Sequence, residues 1–317
     1  MPSFRPAASW DLLRRRAELL RRVREFFDRR GFLEVETPIL SADTVVDRHL
    51  DPFALVDSGR TLWLQTSPEF GMKRLLASGG GSIYQIARVF RRDEVGPLHN
   101  PEFTRVEWYE VGAGLQEGIG LLGRLAEEML GRGPAEPFTY AEAFARHCQI
   151  DPHTASAAEL GDVARRLGVA APESLGQDDR DGWLDLLLVE RVQPHLGVER
   201  PTILYDYPSS QAALARVRPG PPPVAERFEL YVCGIELANG FHELRDPAEL
   251  RRRNRQVNLQ RQADGKPPLP EESRLLEAME AGLPEATGCA LGFDRLLMLA
   301  AGARTISEVI AFPFDRA

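Results

Sequence analysis

Hydrophobic positions recur at helical spacing near the amino terminus of the chain. From Trp10 to Arg30, leucine, valine and phenylalanine side chains fall on one face and arginines cover the other. Asp11 near the start and Gly31 after the end are typical of helix boundaries. The pattern predicts an amphipathic helix whose arginine-rich face is most simply a solvated surface, with docking of an acidic partner as the alternative.

Alternation of apolar and polar positions predicts two antiparallel strands at residues 82–90 and 103–111. Both segments flank a long polar loop, which is the arrangement of a hairpin with an extended connection. Because side chains alternate along a strand, Glu107 and Tyr109 share one face of the second strand. One face of this hairpin is therefore expected to be polar and specific.

Residues 228–241 predict a second hairpin, which turns at Cys233. Strict pairing from this turn places Glu229 opposite Ala238, so that Glu229 and Glu236 project from one face as diagonal neighbours. Two like charges so close are costly without a cation. A bound divalent ion is one interpretation, and an ion pair of each carboxylate with an arginine is the other.

Residues 66–81 predict a helix that ends at a run of glycines. Ser67, Pro68 and Glu69 would take the N-cap, N1 and N2 positions of this helix. The Glu69 carboxylate is then held at a fixed point near the amino end of the helix.

The succession of elements predicts the α+β class, with an antiparallel sheet flanked by helices. Strand segments cluster as hairpins, helices lie between them, and there is no regular β-α-β alternation. Residues 115–200 predict mainly helices. The proline-rich segment 216–226 predicts a surface loop, since strand patterns resume directly after it.

Composition narrows the possible function classes. The chain has 317 residues, of which 43% are hydrophobic and 27% charged, as in ordinary globular proteins. Its 39 basic and 47 acidic residues give a net charge of −8, which disfavours a broad nucleic-acid-binding surface. No apolar run is long enough to span a bilayer, and the three cysteines fit no disulfide framework. We therefore expect no membrane partner and a cytoplasmic location.

Two arginines lie at ends of predicted elements, where a bound anion would be favoured. Arg91 ends a predicted strand, and Arg295 lies at the start of the last predicted helix. Taken alone, each is more simply a surface ion pair. Neither a P-loop nor a Rossmann glycine pattern is present, so any use of ATP would depend on arginines above an antiparallel sheet.

Three segments resemble the signature motifs of the class II aminoacyl-tRNA synthetases, especially those of the lysyl branch. Residues 31–40 resemble motif 1, residues 83–111 motif 2, and residues 288–301 motif 3. The stretches TSPE and ELANGFHEL are features of the lysyl branch. The resemblance runs from about Leu12 to the carboxyl end, and it implies one catalytic domain over 1–317 and, through motif 1, a homodimer.

Local departures resemble a paralogue family of the lysyl-tRNA synthetases, the ligases that lysylate elongation factor P. Lysyl-tRNA synthetases carry an amino-terminal anticodon-binding domain, whereas this sequence begins close to the catalytic motifs. Residues 44–50 replace a Gly-Gly-Ala loop, Ala290 replaces a motif 3 glycine, and Asp93 replaces a motif 2 glutamate, with Glu94 beside it. With the negative net charge, tRNA is not expected as a partner.

The resemblance implies a two-step reaction that uses ATP and Mg²⁺. The carboxylate of lysine or (R)-β-lysine attacks the α-phosphate of ATP, giving an aminoacyl-adenylate and pyrophosphate. A lysine amine of elongation factor P then takes the acyl group. Alternatives are a minimal lysyl-tRNA synthetase and a non-catalytic, synthetase-like regulatory subunit.

The resemblance also implies roles for individual residues. Arg91 and Arg295 would be catalytic, at the α-phosphate and γ-phosphate, and Glu229 and Glu236 would hold Mg²⁺. The ATP-binding residues would be Arg91, Asp93, His99, Asn100, Phe103, Glu236, Leu237, Gly292 and Arg295. The substrate-binding residues would be Ser67, Pro68, Glu69, Glu107, Tyr109, Asn239, Phe241, Glu243 and Ala290.

A diamino acid needs two anionic sockets, because each ammonium group leaves water on binding. The resemblance gives Glu69 and Glu107 to the amino group nearer the carboxylate, and Tyr109 and Glu243 to the terminal ammonium. Asn239 would touch the substrate carboxylate, Phe241 would lie along the methylenes, and Phe103 would stack on adenine. The arginine-rich helices at 12–30 and 251–261 are a hypothetical docking surface for an acidic acceptor protein.

Overall fold

The computed structural model describes residues 4–317, and its elements divide between two compact units. Unit 2 is Ala113–Leu244, and unit 1 is formed by the chain up to Gly112 and from Arg245 onwards. The helices are α1 (Trp10–Asp28), α2 (Glu69–Ala77), α3 (Leu115–Leu130), α4 (Tyr140–His147), α5 (Ala157–Arg166), α6 (Arg180–Leu187), α7 (Pro247–Ala263), α8 (Arg274–Gly282) and α9 (Phe293–Ala301). The strands are β1 (Leu33–Glu34), β2 (Leu40–Ser41), β3 (Ala54–Asp57), β4 (Arg60–Leu64), β5 (Ile83–Phe90), β6 (Glu102–Val111), β7 (Glu136–Thr139), β8 (Thr202–Pro208), β9 (Val217–Arg218), β10 (Val224–Val232), β11 (Ile235–His242) and β12 (Ala286–Gly292). The predicted α+β class is confirmed.

The sheet of unit 1 runs in the order β1, β5, β6, β12. β5 and β6 pair antiparallel, with Ile83 opposite Tyr109, which confirms the first predicted hairpin. β12 pairs antiparallel with β6 and places Ala290 opposite Glu107. β1 lies parallel to β5, with Leu33 opposite Ile83. The motif 2 hairpin therefore lies between the motif 1 and motif 3 strands.

Helix α1 packs on this sheet through aromatic side chains. Phe27 stacks on Tyr84 with ring centroids 4.7 Å apart and lies 5.3 Å from Trp108. The helix begins where predicted, because the Ser9 hydroxyl accepts a hydrogen bond from the amide of Leu12. Burial of this face anchors α1, which directly precedes motif 1, to the strands of motif 2.

The predicted cap of α2 is wrong by one position. The helix begins at Glu69, and Pro68 takes the N-cap with no side-chain hydrogen bond. Ser67 instead accepts from the Glu69 amide at 3.2 Å, one residue before the cap. Proline lacks an amide hydrogen and so can occupy this boundary without losing a bond. Glu69 still lies in the first turn, as expected.

A small antiparallel sheet in unit 1 has the order β2, β4, β3. It leaves large apolar side chains in solvent, since Leu40 and Leu55 are each 42% exposed and Val56 is 78% exposed. An exposed apolar surface of neighbouring residues is typical of a protein–protein interface.

Unit 2 joins its own strands to a helical layer. β10 pairs antiparallel with β11 and β8, and β8 pairs parallel with β7. Residues 115–200 are mainly helical, as predicted, and their core includes Tyr140, Phe144 and Tyr207. The predicted loop at 216–226 is partly wrong, because β9 and the start of β10 fall inside it and pair with each other.

No helix within the described residues 4–317 is long and apolar enough to cross a membrane.

Candidate active site

Arg91 follows the last residue of β5 and faces the ring of Phe103 on β6. Its guanidinium carbon lies 5.2 Å from the ring centroid, and Nη1 donates to Glu94 at 3.3 Å. Asp93 has a left-handed backbone with φ of 65°, and its 80% exposed side chain pairs with Arg92. The structure thus brings Glu94, rather than Asp93, to Arg91.

Arg295 and His99 meet at the amino end of α9. The guanidinium Nη2 lies 2.7 Å from His99 Nε2. Burial, and then the charge of Arg295, lowers the pKa of His99, so the ring is neutral at pH 7 and accepts this hydrogen bond. Gly292 is the N-cap of α9 and places Arg295 in its first turn. A guanidinium at a helix amino end is suited to a phosphate.

Asn100 holds the loop between β5 and β6. Its Nδ2 donates to the carbonyl of Glu102 at 2.6 Å, and its Oδ1 accepts from the amide of Phe314 at 2.9 Å. Both ends of this buried amide are thereby occupied. The geometry makes Asn100 a support for the neighbouring His99.

A buried acidic cluster lies between α2 and β6. Ser67 donates to one oxygen of Glu107 at 2.6 Å, and Tyr109 donates to the other at 2.7 Å. Burial raises the pKa of Glu107; Arg105 opposes this effect and Glu69 adds to it. These predicted substrate residues are brought together, and Ala290, opposite Glu107 on β12, adds a methyl group beside the carboxylate.

Lys73 completes the cluster and was not predicted. Its ammonium donates to Glu69 at 2.5 Å, its side chain is 2% exposed, and it lies 5.9 Å from the Tyr109 ring centroid. A glutamate four residues before a lysine on a helix is the sequence signal that could have found it. One acceptor of the predicted ammonium socket is thus already paired with an internal ammonium.

A β-bulge at Leu237 sets the faces of β11. Glu236 lies opposite Tyr231 and Ala238 lies opposite Leu230, so Leu237 has no partner on β10. Because the extra residue shifts the alternation, the residues after it change face. Asn239, Phe241 and Glu243 thereby come to the same face as Glu236.

The bulge also corrects the predicted register. Glu229 lies opposite Asn239, not Ala238. It still shares a face with Glu236 and lies diagonally across from it, one same-face pair further along the hairpin, as predicted. A bulge has no strong signature in a single sequence, so pairing counted from the turn is wrong from Leu230 onwards.

Glu229 has an extensive set of protein partners. Tyr207 and Tyr231 donate to one of its oxygens at 2.6 and 2.5 Å, and Arg227 donates to the other. Burial alone would lower the pKa of Arg227, but the Glu229 carboxylate outweighs it and raises that pKa. Burial, reinforced by Glu229, raises the pKa of both tyrosines. Of the two interpretations left open by the sequence, the arginine pair is therefore present at Glu229.

The carboxylate oxygens of Glu229 and Glu236 are ligands of the kind that Mg²⁺ prefers. Within residues 4–317 no group of three or more His, Cys, Asp or Glu side chains is placed to hold a metal. Mg²⁺ commonly takes only one or two protein carboxylates together with substrate phosphates and water. Glu236, half-buried on the open face, fits that role, and Glu229 fits it when its oxygen is shared with Arg227.

Asn239 carries an unsatisfied buried acceptor on this same face. Its Oδ1 atom has no hydrogen-bond partner among the described residues. Such atoms are rare in folded proteins and indicate a place completed by a ligand or water. Glu243 is 2% exposed on the same face. His242, on the opposite face, bonds Glu226 at 2.7 Å, so it is held in a structural contact away from the open face.

Comparison with known proteins gives full-length matches. The family model of class II tRNA synthetases (D, K and N) matches residues 3–316. A protein of Erwinia tasmaniensis named elongation factor P–(R)-β-lysine ligase is 48% identical over 320 residues, covering 99% of this chain and 98% of the relative. Proteins of the same name from Klebsiella pneumoniae subsp. pneumoniae (47% over 321 residues; 99% and 98%) and Edwardsiella ictaluri (46% over 323; 100% and 99%) are similar to the same extent.

Proposed function

The chain belongs to the class II tRNA synthetase family of the D, K and N type, and on that premise we propose that it is an ATP-dependent, AMP-forming ligase acting on elongation factor P. Its small substrate is lysine or (R)-β-lysine. The observation that carries the proposal is 46–48% identity over nearly the whole length of relatives named for that activity. We keep 1–317 as a single catalytic domain, since the family match runs through both units.

The activation step is assigned to Arg91 and Arg295. Arg91 would hold the α-phosphate and the attacking carboxylate, with Phe103 beside it for the adenine. Arg295, held by neutral His99, would bind the γ-phosphate. Fixed guanidinium groups stabilise charge that develops on phosphate oxygens without needing to reorganise. The bond formed joins the substrate carboxylate to the α-phosphorus, and pyrophosphate leaves.

The metal is assigned to the hairpin of β10 and β11, and the remaining ATP contacts to residues of several elements. Glu236 and Glu229 would hold Mg²⁺, which when bound supplies neutralisation of phosphate charge. Leu237, Gly292 and Asn100 would line the nucleotide site. Asp93 is retained as an ATP-binding residue, but Glu94, which accepts a hydrogen bond from Arg91, is better placed for that role.

The diamino acid is assigned to the acidic groups. Glu69 and Glu107 would receive the amino group nearer the carboxylate, and Tyr109 with Glu243 the terminal ammonium. Each desolvated ammonium then has a charged partner, which its burial requires. Asn239 would bind the substrate carboxylate and Phe241 would cover the methylenes; Ser67, Pro68 and Ala290 would shape the pocket.

Assembly and location complete the proposal. A homodimer is supported by the apolar side chains left exposed around motif 1, where Leu33 is 65% exposed and Ile39 is 45% exposed. Modification of a translation factor and the three free cysteines favour the cytoplasm. tRNA is not proposed as an acceptor.

Pyrophosphate exchange into ATP tests the activation step. We expect exchange that depends on lysine or (R)-β-lysine and falls by about 10²- to 10³-fold in Arg91→Ala and Arg295→Ala. Arg92→Ala is the matched control. The half-exposed guanidinium of Arg92 pairs with exposed Asp93, so this variant should retain nearly full exchange. No exchange with either amino acid would support the regulatory-subunit alternative.

A further inference from the structure

A cavity with basic, hydroxyl and apolar side chains in its wall lies in unit 1, apart from the residues assigned to the reaction. It has a volume of about 540 Å³ and opens to solvent. Its lining combines three arginines and two hydroxyl groups with apolar side chains: Pro38, Leu40, Ser41, Ala42, Arg60, Thr61, Leu62, Arg74 and Arg274. This size lies in the range of small-molecule sites.

The three arginines come from separate elements and converge on this cavity. Arg60 begins β4, Arg74 lies in the last turn of α2, and Arg274 begins α8. Among the described residues, none of their guanidinium groups has a carboxylate within 4.0 Å or a hydrogen-bond acceptor. Three unpaired positive charges in one cavity repel one another unless an anion joins them.

This lack of partners contrasts with the arginine-rich helix α7. All of the arginines of α7 pair with carboxylates, at Glu249, Glu271, Glu272, Glu280 and Asp51. These carboxylates, several of them at the surface, offset much of the positive charge of α7, which weakens the hypothesis that this helix docks an acidic acceptor. The positive charge of the cavity is available to a ligand.

Asp43 is the acidic group that approaches the cavity wall. Its Oδ2 accepts from the backbone amide of Arg274 at 3.0 Å, at the first turn of α8. That bond uses the carboxylate to cap the helix rather than to neutralise the guanidinium groups. It also fixes the Arg274 backbone against the loop that follows β2.

We propose that this cavity binds a small molecule that carries two or more phosphate groups and a compact apolar portion. A phosphate ester carries about −1.5 to −2 charges at pH 7, so a diphosphate balances three guanidinium groups better than one carboxylate does. The planar fork of arginine matches phosphate oxygens in pairs, and the hydroxyls of Ser41 and Thr61 are further donors. Leu40, Leu62 and Pro38 would contact the apolar portion.

The concave shape of the cavity favours this ligand over an acidic protein surface. A protein docking site spreads its charges over a broad, flat area, usually above 1,000 Å² in total. Here the arginines surround a single concave space, in which hydroxyl and apolar groups alternate with them. An acidic polypeptide and a second copy of the chain are the alternative occupants that the experiment must distinguish.

Calorimetric titration with tripolyphosphate, performed on an Arg295→Ala background, tests the proposal. That background weakens binding at the proposed ATP phosphates and leaves the cavity intact. We expect saturable, salt-dependent binding at one site, weakened about tenfold or more by Arg74→Gln or Arg274→Gln. Arg15→Gln, which removes an exposed charge of α1 outside the cavity, is the matched control and should change affinity less than twofold.

Three results would overturn the proposal. Tripolyphosphate affinity that is unchanged in an Arg60→Gln, Arg74→Gln, Arg274→Gln triple variant would separate binding from the cavity. A poly-glutamate peptide that binds as tightly and with the same arginine dependence would identify an acidic polypeptide as the occupant. A triple variant that loses the proposed homodimer in sedimentation would assign the arginines to the subunit interface. Because these side chains are exposed, thermal unfolding should show the variants folded.

Discussion

Replacing Lys73 with methionine tests the internal ion pair of the acidic cluster. The Lys73 ammonium lies 2.5 Å from Glu69, and the two side chains are 2% and 11% exposed. Methionine keeps most of the aliphatic length, so little cavity is left. The main effect is a carboxylate that stays buried without its cation, next to the acidic Glu107.

Breaking a buried pair by removing one partner costs about 3–5 kcal/mol. The partial exposure of Glu69 places the expected loss near the lower end, about 3 kcal/mol. With an unfolding entropy of about 2.1 cal/mol/K per residue, this lowers the Tm by about 5 °C. Differential scanning calorimetry and urea unfolding measure both quantities.

Lys266→Met is the matched control. Lys266 pairs with Asp51 at 2.9 Å, but its side chain is 30% exposed, and Asp51 keeps its bond with Arg261 at 2.8 Å. We expect a loss below about 1 kcal/mol. A Lys73→Met protein no less stable than Lys266→Met would refute the argument. The double variant with Glu69→Gln should recover part of the loss, since it removes the stranded charge.

Changes at three further positions test the remaining geometry. Glu107→Gln should abolish exchange and yet make the protein more stable at neutral pH. Burial raises the pKa of Glu107, so its charged form destabilises the fold above that pKa, and this penalty disappears as the pH falls. Urea unfolding at neutral pH and at about pH 4 should therefore show a gain for the variant only at neutral pH. Deletion of Leu237 should return the residues after it to the opposite face of the sheet and reduce exchange to background. Leu237→Ala is its control: it keeps the bulge, so it should lower the free energy of unfolding by about 2–5 kcal/mol but retain measurable exchange. Glu236→Gln should raise the Mg²⁺ concentration for half-maximal exchange about tenfold or more; an unchanged Mg²⁺ requirement would remove Glu236 from the metal site.

Local patterns predicted the elements of the fold well. The period of apolar residues gave α1, and alternation gave the β5–β6 hairpin with Glu107 and Tyr109 on one face. Both depend on near neighbours in the chain, where propensity and burial act together. The cap of α2 was misplaced because Ser67 and Pro68 are each acceptable at the boundary, and the Ser67 hydroxyl also bonds Glu107.

Features that depend on distant or irregular contacts were not predicted. The bulge at Leu237 decides which face Asn239 and Glu243 occupy, but its sequence differs little from a regular strand. The pairing of Glu229 with Arg227 and two tyrosines depends on tertiary packing. The arginine cavity joins Arg274 of α8 to Arg60 and Arg74 of the much earlier β4 and α2, and no local pattern predicts such convergence.

The most direct test of the central claim is a mass measurement of both possible acceptors. The protein is incubated with ATP, Mg²⁺ and either lysine or (R)-β-lysine, together with purified elongation factor P and, separately, total tRNA. We predict that elongation factor P gains the mass of one lysyl group at a lysine side chain and that tRNA stays unmodified. Acylated tRNA with unchanged elongation factor P would contradict the account.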